Sequence, residues 1–261
     1  MKLHNVFIDG AEGTTGLQIS DRLAKRGDIC LLEIPANLRK DVSERLEYMR
    51  KSDVTILCLP DAAAIEAVKL ADSSVRILDA STAHRTKPGW AYGFPELGES
   101  FVSQIASGNR VSVPGCHACG FIAIMYPLVA GGIISKDFKS TCFSLTGYSG
   151  GGKSMIGDYE SFDRSNVISP QIYAREGNHK HLNEMVTISG LVHKPVFSPI
   201  VCDYYSGMIV TVPFFIEDFD GRNVDDVREH LANYYTSKGS KVRVASIHEC
   251  ELQKGKLVCD M

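Results

Sequence analysis

His4-Asn-Val-Phe-Ile-Asp9-Gly10-Ala-Glu-Gly13-Thr-Thr-Gly16 is the stretch whose reading decides the fold. An apolar run that reads as a buried strand meets a glycine-rich turn, and Leu17, Ile19, Leu23 and Ala24 continue at roughly helical spacing. Strand, glycine turn and helix in that order bring a pyrophosphate to backbone N–H groups at a helix N-terminus. Gly10, Gly13, Thr14, Thr15 and Gly16 are therefore the candidate dinucleotide cradle, on a G-x-x-G-x-x-G spacing rather than the commoner G-x-G-x-x-G. A purely structural turn is the alternative for these residues taken alone.

Working outward, the same alternation repeats. Strands are expected at 29–34, 53–60 and 75–79, and helices at 41–51 and 61–70. This alternation specifies an α/β, doubly wound, parallel Rossmann-type sheet. Past the second strand, Glu33 suits a ribose hydroxyl, whereas Arg39 and Lys40 suit the extra phosphate of NADP. The cations incline the reading to NADP(H), with Arg39 as its contact, although a solvated loop accounts for both residues equally well. Ser81 and Arg85 follow the 75–79 strand at the sheet edge that carries ligands in such folds, and are candidate anion contacts. An exposed surface loop is the alternative.

Val113-Pro-Gly-Cys116 then delivers a cysteine to the start of an apolar helix running through 121–129. Orphan N–H groups and the positive end of the helix dipole favour a thiolate there, and Gly115 permits close approach of a substrate. A small buried core cysteine is the alternative. The Cys116-His-Ala-Cys119 pair has no second pair at matching spacing, so it makes neither a zinc site nor a redox dithiol, and no metal is expected. A thiolate attacking a carbonyl needs a proton-transfer partner, and Asn178-His179-Lys-His181-Leu-Asn-Glu184 is the densest histidine cluster in the chain. One of its histidines serves as acid/base, unless the segment is a solvated face.

After this helix the texture becomes β-rich, with strands expected at 139–146, 192–198, 207–215 and 241–246 and a helix at 225–235. These segments suggest a second, α+β domain with a mixed or antiparallel sheet. The expected division is 1–115 for the cofactor, 116–246 for catalysis and self-association, and 247–261 as an irregular tail. Gly147-Tyr-Ser-Gly-Gly-Gly152-Lys-Ser154 matches a phosphate-loop expression, which raises a nucleoside-triphosphate enzyme as a rival. A weak helix follows it and no apolar strand ending in aspartate comes after to hold magnesium, so a glycine loop lining a substrate pocket through Ser149, Gly150 and Gly151 fits better.

The chain has 261 residues, 44% hydrophobic and 23% charged, with a formal net charge of −3. That balance gives no sign of a nucleic-acid or acidic-membrane partner. No uncharged apolar run approaches the roughly 18 residues of a membrane span, and the N-terminus lacks a signal-peptide core. Eight scattered cysteines fit free thiols in a reducing cytoplasm.

Taken together, the segments 10–16, 79–85, 92–97, 113–116, 147–152 and 179–184 resemble successive motifs of N-acetyl-γ-glutamyl-phosphate reductase, particularly its shorter type. The resemblance implies a semialdehyde dehydrogenase-like fold and a cytoplasmic enzyme of arginine biosynthesis. It implies reduction of N-acetyl-glutamyl 5-phosphate to the 5-semialdehyde with NADPH and release of phosphate. By motif, Cys116 corresponds to the nucleophile, His179 to the acid/base residue and Glu184 to a substrate-binding glutamate. Ser81, Arg85 and the Ser149, Gly150, Gly151 loop fall where the acyl phosphate or the acetylated amino acid is held. A homo-oligomer, dimer or tetramer, is expected.

One departure stands out. Family members continue into a glycine-rich helix that returns to the cofactor domain, and 247–261 offers no counterpart, so weakened cofactor closure and reduced activity are expected. Rivals are an aspartate-semialdehyde dehydrogenase-like enzyme and a truncated chain that binds NADP without turnover.

Overall fold

A computed structural model describes residues 3–165, 167–236, 240–245 and 250–259. The chain forms two compact units. The first comprises the residues up to Phe94 together with Glu99–Pro114, and the second comprises Pro95–Gly98 and the chain from Gly115 on.

In the first unit, β1 (His4–Asp9), α1 (Thr14–Leu23), β2 (Ile29–Leu32), α2 (Val42–Lys51), β3 (Val54–Leu57), α3 (Asp61–Leu70), β4 (Ile77–Asp79), β5 (Ala91–Tyr92), α4 (Glu99–Ser107) and β6 (Arg110–Ser112) follow in order. The six strands form one sheet in the order β2-β1-β3-β4-β6-β5, every pairing parallel. Successive side chains of a strand point to opposite faces, and both faces are covered. Phe7 and Leu57 pack with Met49 of α2 and Ala64 and Ala67 of α3 on one side. Val6, Ile8 and Ile56 pack with Ile19 and Leu23 of α1 on the other. The strand order reverses between β1 and β3, at the end of β1 where the glycine turn sits. The α2 N-terminus is fixed by Asp41, whose carboxylate accepts from the Glu44 N–H at 3.0 Å.

The second unit begins with α5 (Cys116–Ala130), followed by β7 (Thr141–Gly147), α6 (Gly152–Glu160), β8 (Gln171–Ile172), α7 (Leu182–Ser189), β9 (Val196–Cys202), β10 (Met208–Thr211), α8 (Val224–Tyr234), β11 (Cys250–Gln253) and β12 (Lys256–Cys259). Its four-stranded sheet runs β10-β7-β9-β8; β7 and β9 are parallel and the outer pairings antiparallel, so the sheet is mixed. Helix α5 is buried along most of its length, with Phe121, Ile122, Met125 and Leu128 wholly inside, which is why its sequence shows no polar face. At Gly120 a Cβ would press on Val210 at 2.6 Å, so this glycine lets α5 lie close on β10.

Two expectations are corrected here. Residues 241–245 form no strand: the Lys241 N–H donates to Glu96 Oε1 at 3.3 Å and the Val242 N–H to Ser240 Oγ at 3.2 Å, so side chains replace a strand ladder. Ser246 lies outside the described residues. The tail expected to be irregular carries the β11–β12 hairpin, closed by Lys254 at φ 48° and Gly255 at φ 72°, two successive left-handed residues that suit a tight hairpin turn. The hairpin docks through the Tyr205 N–H to Gly255 O at 2.6 Å and the Leu257 N–H to Ser206 O at 2.8 Å. Residues 246–249, 260 and 261 lie outside the description.

Candidate active site

The glycine turn of the first unit is built for close approach. Gly10 has φ +85°, and a Cβ there would collide with the Cys58 carbonyl, while one at Gly16 would collide with the Gly10 carbonyl. The first glycine thus permits the turn and the last seats α1 against it, with Gly13 as the α1 N-cap and Thr14 and Thr15 opening the helix. Beside the turn lies a cavity of about 300 Å³ whose lining includes Glu12, Leu17, Ser20, Leu31, Glu33 and Arg39. Arg39 is ion-paired with Glu12, so the rim offers one paired cation and two carboxylates. Asp9, buried at the end of β1, is held by Arg45 of α2 through Nη2 at 2.6 Å and Nε at 3.1 Å. That buried pair gave no sequence signal.

At the end of β4, Asp79 organises the segment that carries Ser81 and Arg85. Asp79 is fully buried and accepts from the Ser81 hydroxyl at 2.7 Å, the Ser81 N–H at 2.9 Å and His84 Nδ1 at 2.6 Å. The His84 ring stacks on Trp90 with centroids 4.1 Å apart. The buried Ser81 hydroxyl also accepts from the Ala83 N–H at 3.2 Å, so it holds the turn together. Arg85 donates from Nε to Val113 O at 3.0 Å and from Nη2 to Ala80 O at 3.3 Å.

In the second unit, Cys116 is the first residue of α5 and is exposed, whereas the residues beside it, Gly115 and His117, are buried. Gly115 is the N-cap, and its N–H donates to Glu184 Oε2 at 3.0 Å. Glu184 comes from α7 and is 1% exposed; its other oxygen lies 4.0 Å from His181 Nε2. His179 Nδ1 accepts from the His181 N–H at 3.1 Å, so in neutral His179 the proton sits on Nε2. Cys119, one turn along α5, is half-buried and burial first, then Glu96 and Glu184, push its thiol up to about 11. It is a poor nucleophile, and the C-x-x-C spacing is incidental.

His117 was not singled out by the sequence. Its ring is 3% exposed, with Nδ1 2.6 Å from Ser144 Oγ and Nε2 2.6 Å from Tyr173 Oη. The rings of His179, His181 and Phe197 each lie 5.4 Å from it. Burial, then the neighbouring His179 and Lys180, hold His117 down to about 4, so it is neutral at ordinary pH. The Tyr173 hydroxyl is pushed well above the usual tyrosine range by burial and by negative charge at Cys116. Ser149, Gly150 and Gly151 form the 3₁₀ turn Tyr148–Gly151 ahead of α6, with the Ser149 N–H donating to Tyr205 O at 2.9 Å. Among the described residues, no group of three or more His, Cys, Asp or Glu side chains is arranged to hold a metal ion, and no helix is long and apolar enough to cross a membrane.

Comparison with known proteins matches residues 116–259 to the family described as semialdehyde dehydrogenase, dimerisation domain. N-acetyl-gamma-glutamyl-phosphate reductase of Trichormus variabilis is 45% identical over 260 residues, covering 97% of this chain and 80% of the relative. The protein of that name from Chelativorans sp. is 43% identical, covering 94% of this chain and 80% of its own length. Among solved structures, aspartate semialdehyde dehydrogenase II of Vibrio cholerae superposes with a TM-score of 0.62 at 14% identity, covering 99% of this chain and 92% of that one. Aspartate semialdehyde dehydrogenase of Candida albicans, solved with NADP, gives 0.58 at 14% identity, covering 89% and 77%. At those identities the likeness is one of fold.

Proposed function

Because this chain belongs to the N-acetyl-gamma-glutamyl-phosphate reductase family, we propose that it converts N-acetyl-glutamyl 5-phosphate to the 5-semialdehyde and phosphate through a thioester on Cys116. The observation that carries this reading is an exposed thiol at the first position of a buried apolar helix, its N-cap amide fixed by a buried carboxylate. A sulfur anion there faces unsatisfied N–H groups and the positive end of the helix dipole.

The Cys116 sulfur anion attacks the acyl carbonyl, a C–S bond forms, the C–O bond to phosphate breaks, and phosphate leaves with that electron pair. After reduction of the thioester carbon, the C–S bond breaks and the thiolate is restored. His179 carries its proton on Nε2, gives it to the oxygen of the tetrahedral adduct formed on reduction and takes it back as the carbonyl re-forms and the thiolate leaves, while the Nδ1 contact to the His181 N–H holds the ring in that tautomer. We assign Glu184 to the turn rather than to the substrate, since its Oε2 already accepts from Gly115. Arg85 and the Ser149, Gly150, Gly151 turn remain the proposed contacts for phosphate or the acetylated amino acid. Ser81 we assign to the Asp79 turn that carries Arg85.

NADPH is the proposed reductant, supplying hydride when bound. The turn from Gly10 to Gly16 fits a pyrophosphate, because Gly10 and Gly16 let it fold tightly on its own backbone and against the Cys58 carbonyl and so set the N-terminus of α1 at its end, and Arg39 at the cavity rim fits a 2′-phosphate. A homodimer is the proposed assembly. On the mixed sheet, Thr141 pairs with Val196 and Ile172 with Ile200, which puts Phe143, Ile172 and Val196 on one face, all exposed. A reducing cytoplasm suits the chemistry, since Cys116 must remain a free thiol. The test is oxidation of N-acetyl-glutamate 5-semialdehyde with NADP and phosphate, run beside aspartate semialdehyde. Turnover of the acetylated aldehyde, lost in Cys116→Ser with NADPH binding retained, is expected; full activity of Cys116→Ser refutes the reading.

A further inference from the structure

Glu12 and Arg39 come from different loops, yet both line the cavity beside the glycine turn, and an ion pair from Arg39 Nη1 to Glu12 Oε1 lies across its rim. Glu12 is a central residue of the turn that the Gly13 N–H closes by donating to Gly10 O at 3.1 Å. Arg39 stands in the connection from β2 to α2, where the Leu38 N–H donates to Pro35 O and the Asp41 N–H to Leu38 O, each at 2.9 Å. Backbone hydrogen bonds thus set both loops, while the pair itself joins side chains that are 69% exposed in Glu12 and 41% in Arg39. An exposed ion pair is weak, so an incoming anion can take Arg39 from Glu12 at small cost, and Glu12 can turn into water. Glu33, just past β2, lines the same cavity and is the acid that suits a ribose hydroxyl. For a 2′-phosphate the cavity therefore offers one cation, already paired, and two carboxylates. Like charges repel at close range, and a site discriminates by the charges set against a ligand as much as by those that attract it.

We propose that Glu12 is a specificity-determining residue: it holds Arg39 as its own counter-ion until a 2′-phosphate displaces it, and so limits the preference of this chain for NADPH over NADH. A cofactor with a 2′-hydroxyl in place of that phosphate leaves the Glu12–Arg39 pair intact and meets Glu33 favourably. The competition therefore lowers affinity for NADPH and leaves affinity for NADH alone. This inference rests on Arg39 being the 2′-phosphate contact.

The test is calorimetric titration of the full chain with NADPH and with NADH, no substrate present, read as the ratio of the two Kd values. The proteins are wild type, Glu12→Gln, Arg39→Ala and the double variant. Glu12→Gln keeps the size of the side chain and removes its charge. It is expected to tighten NADPH about three- to fivefold, the range in which an exposed charge pair acts, and to leave NADH unchanged. With Arg39→Ala also present the gain is expected to vanish, because no cation remains to be freed. A merely structural role for Glu12 in the glycine turn would move both cofactors alike and leave the ratio in place, which overturns the proposal. A gain that persists in the double variant also overturns it, since Glu12 then acts without Arg39. If Arg39→Ala leaves the ratio unchanged both with Glu12 present and with it replaced, the 2′-phosphate contact beneath the proposal is removed as well. If instead Arg39→Ala lowers the ratio and Glu12→Gln does not raise it, the contact stands and only the role of Glu12 falls.

Discussion

Glu184→Ala removes the single side chain that holds the amide ahead of Cys116. The Glu184 carboxylate is 1% exposed and accepts from the buried Gly115 N–H at 3.0 Å. A hydrogen bond to a charged group contributes about 1.5–3 kcal/mol, and its loss here leaves the Gly115 N–H orphaned. Adding the space left by the deleted side chain gives a cost of about 3 kcal/mol. For a chain of this size that lowers the melting temperature by about 6–12 °C. Glu184→Gln keeps an acceptor oxygen, so its cost is about 1 kcal/mol and a few degrees. The kinetic effect is larger than the stability effect suggests, because a displacement of about 1 Å in a reacting group costs on the order of 100-fold in rate.

The two roles open to Glu184 separate cleanly. A residue that fixes the turn lowers kcat with KM retained, and it slows alkylation of Cys116 with no substrate present. A residue that grips the substrate raises KM and leaves alkylation of the free enzyme alone. The assays are steady-state kinetics with the acetylated semialdehyde, thermal melting and iodoacetamide labelling. Wild-type kcat in Glu184→Ala, with a raised KM and unchanged labelling, refutes the positioning argument.

Arg39→Ala is expected to raise KM for NADPH about tenfold with little change for NADH, the loss of one charge-assisted contact at an exposed rim; equal effects on the two cofactors refute a 2′-phosphate contact. Phe143→Asp places a charge in the middle of the exposed sheet face and is expected to shift the protein from dimer to monomer in size-exclusion chromatography with light scattering; an unchanged mass refutes that face as the interface. Burial keeps His117 at about 4 when folded, against about 6.5 when unfolded. Below pH 6.5 the unfolded chain therefore takes up a proton that the folded chain refuses, and stability falls as pH drops from about 6.5 to 4, by up to about 3 kcal/mol. Urea unfolding across that range checks it: a flat profile, or one unaltered in His117→Gln, refutes the assignment.

The first unit was legible because its signals are local. Each buried parallel strand writes a short apolar run, each helix an amphipathic one, and Asp41 caps α2 from its own neighbourhood. What escaped there has little of that signature. Strands β5 and β6 span two and three residues, and α4 buries no side chain completely, so no strong periodicity marks it. The hairpin β11–β12 was missed for a related reason. Its two four-residue strands are held to each other and to residues 205 and 206 by backbone bonds, which leave no pattern of side chains. Conversely, 241–246 alternates like a strand, but within 241–245 the Lys241 and Val242 amides are met by Glu96 and Ser240 instead of a partner strand.

The site divides along the same line. A thiol at a helix start is a local feature, so Cys116 was visible from the Pro-Gly turn and the apolar run after it. The contacts around that helix start are remote in sequence: Glu184 reaches Gly115 across 69 residues, Ser144 reaches His117 across 27, and Tyr173 reaches it across 56. No spacing rule connects such positions, since the register that joins them is set by the mixed sheet and by α7 packing on α5. The sequence reading therefore marked the proposed nucleophile and passed over the residue beside it. His117 was passed over as the interior of a C-x-x-C pair, yet its ring joins α5 to Ser144 of the sheet and to Tyr173 through two short hydrogen bonds, and a buried neutral imidazole bonded at both ends keeps its orientation only while both partners remain. Substitutions at Ser144 and Tyr173 should for that reason be coupled rather than additive, which a double-mutant cycle on the free energy of unfolding measures directly.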